Sequence, residues 1–321
     1  MRGRGGRDPA RARRGRLGAT LGVVLGLTAG LGGGVEAQAQ PRAMAAGAEA
    51  TDGAVVLRVG WRAGQTVRYR VETAETVEGA SAARASSAVV SVQTVSVGAD
   101  GTGAQRLRVE SLRLGAGTLT AGAGGPLVQG LRAAEVRFRQ DARGAVTETA
   151  LVGVAEAERA RVGALVASLR QLGPTLPVGP LRVGDTWETE TRQRFVPGPG
   201  GALPLDIQRR YTLRALRRSD GAWVADIDTV ATARIADGHA VGAIPLRAEG
   251  ASTGSVRYDL GRAVVLDGHE RGTLTLELTV RGRPLRLRAR VESSLRAVPE
   301  AEVVSSPERP ARRHRARRRR P

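Results

Sequence analysis

The run laid out for nucleophilic chemistry is Gly250-Ala251-Ser252-Thr253-Gly254, followed by Asp259 or Asp267 and then His269. A Gly-x-Ser-x-Gly segment with an acid and a histidine downstream has the order of an α/β-hydrolase triad. There, a sharp strand-to-helix turn lifts the serine above a parallel sheet. The flanks argue against that geometry here. Leu246-Arg247-Ala248-Glu249 precedes, and Ser255-Val256-Arg257-Tyr258 alternates as a half-buried strand does. Acid and base also follow too closely to sit on later βα units. In a chain with 43 glycines the pentapeptide reads as coincidence, and the expectation is a protein that is not an enzyme.

The remaining reactive types support the same expectation. His239, His269 and His314 stand singly, without partners at metal-ligand spacing. The sequence has no cysteine, which removes thiol chemistry, disulfides and cysteine metal sites together. Asp226 with Asp228, and Glu188 with Glu190, alternate along single strands. That pattern describes a solvated sheet face, whereas catalytic carboxylates come from different environments that separate their pKa values. The Gly115–Gly125 stretch reads as a loop without the Gly-Lys-Ser/Thr ending of a phosphate cradle, and there is no lysine anywhere. No cofactor or metal is expected.

Charge points to the two ends. The chain has 50 basic residues, all arginine, against 31 acidic ones, for a formal charge of +19. Residues 1–42 and 309–321 each hold eight arginines, and the body between them is close to balanced. At the C-terminus, residues 300–321 are too basic and proline-rich to form a core and read as a disordered tail. Its Arg312, Arg313, Arg315, Arg317, Arg318, Arg319 and Arg320 are the candidate contacts to an anionic surface, such as lipopolysaccharide phosphates or anionic lipid heads. No aromatic residues interleave with them, so nucleic acid is the less favoured polyanion. An unselected basic extension is the alternative.

At the N-terminus, arginines up to Arg16, the moderately apolar Leu17–Leu31 and the small residues Ala37-Gln38-Ala39 read as a secretory signal over residues 1–39. A retained anchor is the alternative, but the run is shorter than the roughly 20 residues that span a bilayer. The mature chain is therefore expected to be exported, periplasmic or secreted, with no transmembrane span. Residues 40–54 read as a flexible lead-in.

The body, about 55–299, is expected to be a single β-rich domain. Val67, Tyr69, Val71 and Thr73 alternate with Arg68, Arg70 and Glu72, and the same period recurs to Leu285–Val291. Ala99-Asp100-Gly101 and Ser219-Asp220-Gly221 are hairpin signals. A change of phase between Val109 and Leu112 predicts a bulge. One stretch breaks the pattern. In Val162, Leu165, Val166, Leu169 and Leu172 the spacing is three and four, which predicts an amphipathic helix over about 154–172, ended by Gly173-Pro174.

Halves at about 55–150 and 181–299 flank that helix and match in detail. Leu57-Arg58-Val59-Gly60 recurs as Leu181-Arg182-Val183-Gly184, Asp100-Gly101 as Asp220-Gly221, and Val136-Arg137-Phe138 as Val256-Arg257-Tyr258. Two related antiparallel meanders joined by one helix follow from this, closing as a half-barrel or a sandwich.

Three segments carry a resemblance: Gly64–Tyr69, Arg143–Glu148 and, most distinctively, Leu176-Pro177-Val178-Gly179-Pro180-Leu181-Arg182-Val183-Gly184-Asp185-Thr186-Trp187. They resemble a family of uncharacterised exported bacterial β-rich proteins with a central Val-Gly-Asp-x-Trp segment. That resemblance implies a β fold and an export route, and brings no active site. The layout is also similar, as a distant analogy of fold, to periplasmic lipoprotein carriers. One-sided apolar strands with a helix to lie over them lead to an expected lipid or other hydrophobic ligand. The alternative is an envelope structural or adhesive protein docking through its tail. In either case Gly184-Asp185 is expected to turn the chain and Trp187 to anchor the core.

Overall fold

The computed structural model describes residues 48–51, 54–79, 83–114, 124–154, 159, 172–195, 203–219, 221–235, 240–241, 244–280 and 282–299. Fourteen strands appear among them: β1 (Ala48–Thr51), β2 (Ala54–Leu57), β3 (Thr66–Val77), β4 (Arg84–Val97), β5 (Gly103–Leu114), β6 (Glu135–Gln140), β7 (Val146–Val152), β8 (Thr186–Phe195), β9 (Leu203–Ser219), β10 (Ala222–Ile235), β11 (Ala240–Val241), β12 (Ile244–Asp259), β13 (Val264–Val280) and β14 (Arg283–Val298). One helix is described, α1 (Gly124–Ala133).

Eleven strands form one antiparallel sheet in the order β7-β6-β5-β4-β3-β14-β13-β12-β10-β9-β8, and the short β11 pairs with β12. In each meander, strands that follow one another in the chain lie side by side, and the two meanders meet where β14 pairs with β3. The first four long strands of the two meanders correspond in order, β3 to β6 with β8, β9, β10 and β12. Asp100-Gly101 turns β4 into β5, and Gly221 stands at the equivalent place between β9 and β10, with Gly101 and Gly221 at φ of 79° and 78°, a left-handed backbone that glycine adopts without strain. Val136–Phe138 lies on β6, the fourth long strand of its half, and Val256–Tyr258 on β12, the fourth of the other. The bulge predicted in β5 is present. Val89 and Val90 pair with Ser111 and Val109, so Glu110 is the extra residue, and its two carboxylate oxygens share the single Arg68 Nε–H at 2.9 and 3.1 Å.

Alternation puts most apolar side chains of the long strands on one face, with Val95, Val97 and Val230 exposed outside it. The larger buried cluster brings together Phe138 of β6, Trp187 of β8 and Tyr258 of β12, strands far apart in the sheet order. The sheet therefore curls until its inner face packs against itself. Trp61, Tyr69, Phe138 and Tyr258 line only about 40 Å³ of space there, so this end is a packed core. A second cluster, with Ile207, Ile235, Leu246, Leu274, Leu276 and Leu278 among its members, lies along the other ends of β9, β10, β12, β13 and β14.

The connection from β7 to β8 joins the two edges of the sheet and is tied to both halves. Leu176 N–H donates to Arg143 O at 2.8 Å, and Arg143 Nε donates back to Leu176 O at 2.9 Å. Leu181 and Val55 exchange backbone hydrogen bonds of 2.7 and 2.8 Å, pairing the two equivalent segments. Trp187 is buried, stacks on Tyr211 at 5.1 Å, and donates its indole N–H to Thr175 O at 2.8 Å. Gly184 has φ of 101°, and Asp185 Oδ2 accepts from Arg182 N–H, so Gly184-Asp185 does make the expected turn.

The helix placed over 154–172 falls almost wholly outside the described residues; Arg159, which is described, is helical. The described helix is instead α1, which begins inside the Gly115–Gly125 stretch read as a loop. Pro126 stands in its first turn, where a missing N–H breaks no hydrogen bond, and Leu127, Val128 and Leu131 follow at helical spacing. Within residues 40–54, read as a flexible lead-in, Ala48–Thr51 pairs with Ala54–Leu57.

Because Trp187 ties the connection to the core, Trp187→Ala should lower the unfolding free energy by about 3–5 kcal/mol, read from urea midpoints at unchanged slope. Trp187→Phe keeps a ring on Tyr211 and loses the indole hydrogen bond, so its loss should be about 1–2 kcal/mol.

Candidate functional site

Between the two apolar clusters the inner face changes character. Strand register places Trp187, Tyr211, Thr229, Gly254, Glu270, Ser293 and Thr73 in one cross-sheet row. The next row holds Thr189, Arg209, Ala231, Ser252, Gly272, Val291 and Glu75. These two rows form a polar belt, and much of it is buried: Thr73, Glu75, Thr189, Arg209, Thr229 and Glu270 all fall among the buried residues.

The centre of the belt is an ion pair. Arg209 Nη2 lies 3.6 Å from Glu270 Oε1, with the two side chains 4% and 3% exposed. Ser252 donates its hydroxyl to the same Glu270 oxygen. Glu270 Oε2 has no hydrogen-bond partner. Burial pushes the Glu270 carboxyl up, against the opposing pull of Arg209 and Ser252. Gly254 makes the close approach possible: a Cβ there would stand 2.3 Å from His269 O and 3.1 Å from Thr229 Oγ1.

A cavity of about 70 Å³ opens against this pair. Leu205, Ile207, Ala231, Ala233, Leu274 and Val291 give it apolar walls, and Arg209, Ser252 and Glu270 give it one polar end. A larger groove, about 740 Å³, crosses the β14–β3 seam, but Glu72, His269, Arg271 and Glu292 in its lining are exposed side chains of mixed sign. The smaller space is the one that combines apolar walls with convergent buried polar groups, the combination ligand sites use.

The residues singled out in the sequence are not brought together for catalysis. Gly250–Gly254 lies in the middle of β12, with no strand-to-helix turn. Ser252 faces inward, whereas His269 faces outward and contacts Ser255 Oγ through Nδ1 at 3.3 Å. Asp267 pairs with Arg257, and buried Asp259 accepts from Arg262 N–H at 2.9 Å. Asp226, Asp228 and Glu188 form cross-strand pairs with Arg217, Arg214 and Arg210 on the outer face, and Glu190 accepts from Gln208. His239, His314 and the tail residues Arg312, Arg313, Arg315 and Arg317 to Arg320 lie outside the described residues. Among the described residues no group of three or more His, Cys, Asp or Glu side chains could hold a metal ion, and no helix is long and apolar enough to cross a membrane.

Arg209, Glu270 and Glu75 were missed as inner-face residues, although the sequence carries the signal. Glu75 has the parity of Tyr69, Val71 and Thr73; Arg209 has that of Ile207 and Tyr211; Glu270 has that of Leu274 and Leu276. A charge at an apolar parity marks a buried polar group.

Glu75 yields a test of the belt. It is 2% exposed, and neither carboxyl oxygen has a hydrogen-bond partner. Burial raises its pKa above the ordinary 4.5, with Arg84 across the strand pulling it down. The folded state thus holds the proton to higher pH than the unfolded chain, so the contribution of protonated Glu75 to stability is full below the ordinary value and is lost as pH rises through the folded one. Glu75→Gln cannot ionise. Its unfolding free energy should exceed that of the parent by on the order of 1 kcal/mol at pH 7, and the two should converge below about pH 4. Urea titrations across that range check it.

No family model matches the chain, and no curated protein matches it. The kinship suggested by Val183–Trp187 therefore has no family-level counterpart. Among solved structures, one of lipid–protein interactions in lipovitellin superposes with a TM-score of 0.45 at 14% identity, covering 74% of this chain and 25% of that one. The chain spans about a quarter of that protein's length.

Proposed function

We propose that this chain is an exported, non-enzymatic β protein that takes an aliphatic ligand, such as a lipid chain, on the inner face of its sheet. The observation that carries the reading is the 70 Å³ cavity between Ile207, Leu274 and Val291 on one side and Arg209–Glu270 on the other. Apolar walls supply the driving force, roughly 25 cal/mol for each Å² removed from water, and the buried polar end supplies orientation. The serine, acid and histidine of the Gly250–His269 region point to different faces, which favours binding over acyl-transfer chemistry.

Native mass spectrometry and solvent extraction of protein purified from the exported fraction test this. The expected result is a bound aliphatic species released by organic solvent. It should be much reduced in Ala233→Leu, which fills the cavity. Ligand-free protein, with no uptake of added lipid, would end the reading.

A second reading rests on the charge of the C-terminus, where residues 309–321 carry eight arginines and no acid. These would hold the protein at an anionic surface by releasing counterions. Removal of residues 307–321 should then abolish sedimentation with anionic vesicles at low salt, and unchanged sedimentation would dispose of the tail as the contact.

A further inference from the structure

We propose that β8 is an interface through which two copies of this chain join, their β8 edges pairing antiparallel about a two-fold axis through Thr191. The proposal goes beyond ligand binding and does not depend on it.

The first support is an open edge with its backbone turned outward. Among the described residues β8 pairs only with β9. Leu213 O accepts from Gly184 N–H at 2.7 Å, and Leu213 N–H donates to Asp185 O at 3.0 Å, so Leu213 turns its backbone groups toward β8. In the register that follows, Tyr211, Arg209 and Ile207 do the same opposite Trp187, Thr189 and Thr191. The backbone N–H and C=O groups of Glu188, Glu190, Arg192 and Arg194 therefore point to the open edge.

The second support is a charge order that complements itself. Charged side chains commonly blunt an exposed edge, and charges of one sign repel a second copy. On β8 the order is Glu188, Glu190, Arg192, Arg194, acids first and bases second. An axis through Thr191 sets Glu190 opposite Arg192 of the second copy, and Glu188 opposite position 194, an arginine. An axis through Glu190 or Arg192 sets that residue against its own copy. Axes at Thr189 or Gln193 oppose Glu188 to Glu190, or Arg192 to Arg194. An axis between residues sets outward-turned backbone against inward-turned backbone, and the ladder is lost. The Thr191 axis alone pairs acid with base throughout. The other edge, β7, carries the single charge Glu148 and offers no base to Glu188 and Glu190.

The third support is that these charges are reachable and already ordered. Glu188 accepts from Arg210 at 2.8 Å, Glu190 from Gln208 at 3.0 Å, and Arg192 donates to Asp206 at 2.6 Å. The Glu188 and Arg192 side chains are nevertheless 63% and 74% exposed. Side chains held by β9 lose less freedom on association. In the joined sheet Arg192 stands between Asp206 and Glu190 of the second copy, so alternating charge continues across the seam.

The test is sedimentation velocity of the full chain over a wide range of concentration at physiological salt. A reversible dimer is expected, since one strand pair buries little surface. Glu190→Arg and Arg192→Glu each set like charges opposite one another at both contacts, and each should weaken the dimer at least about tenfold. Mixed in equal amounts, the two variants oppose base to acid again, and a mixed dimer should return. Thr191→Cys changes no charge and introduces the only thiol in the chain. At the axis it meets its own copy at a Cα separation of about 4.5 Å, within disulfide reach, so mild oxidation should give a covalent dimer. Glu188→Cys, opposite position 194, should give none. The Thr191→Cys result decides the matter even if a charge variant does not fold. A parent that stays monomeric, a dimer that both charge variants leave unchanged, a monomeric mixture, or no covalent dimer from Thr191→Cys overturns the proposal.

Discussion

The structure depends on the pairing of its last strand with its first long one. Ala289–Val298 of β14 runs antiparallel to Arg68–Val77 of β3, and this contact makes two meanders into one sheet. Its register decides what the inner face contains: Leu295 stands beside Val71, Ser293 beside Thr73, Val291 beside Glu75. Because strand side chains alternate, a slip of one residue would turn Arg70 and Glu72 inward and expose Tyr69 and Val71. With the seam fixed, β7 and β8 become the edges of the sheet, and the connection between them has to join those edges. The hydrogen bonds of Leu176 and Leu181, and the Trp187 indole on Thr175, follow from that demand.

What was legible in the sequence was local. Alternation gave the strands, Asp-Gly pairs gave the turns, and the phase change after Val109 gave the bulge, since each depends on a few consecutive residues. Trp187 could be assigned to the core because a large ring on an alternating strand has few other places to go. The β14–β3 seam was not legible, because nothing in Arg68–Val77 specifies a partner more than 200 residues away in the chain. Helix α1 was hidden by composition: its first residues, Gly124, Gly125 and Pro126, are loop formers, and its apolar spacing lies behind them.

The buried belt was legible in principle and overlooked in practice. Parity alone places Glu75, Arg209 and Glu270 inside, but a reading that counts apolar residues passes over charges on the same face. What parity could not provide is the pairing. Arg209 and Glu270 meet only after the seam and the turns have set β9, β10, β12 and β13 side by side.

That pairing explains the pentapeptide that looked like a nucleophile elbow. From β9 to β13 there are three strand intervals, roughly 14 Å at about 4.8 Å each. For Arg209 and Glu270 to come within 3.6 Å, both side chains must lie nearly flat along the inner face, over whatever β10 and β12 present there. A leucine at any of those positions would lift them apart. The residues in the way are Thr229 and Ala231 on β10, and Ser252 and Gly254 on β12, all small. Alternation puts the two glycines and the serine of Gly-x-Ser-x-Gly on one face, and there Ser252 and Gly254 leave room for an ion pair to cross the strand. Ser252 then has a role that requires no histidine, since its hydroxyl holds one oxygen of Glu270 toward Arg209. The other oxygen, Oε2, is buried without a hydrogen-bond partner.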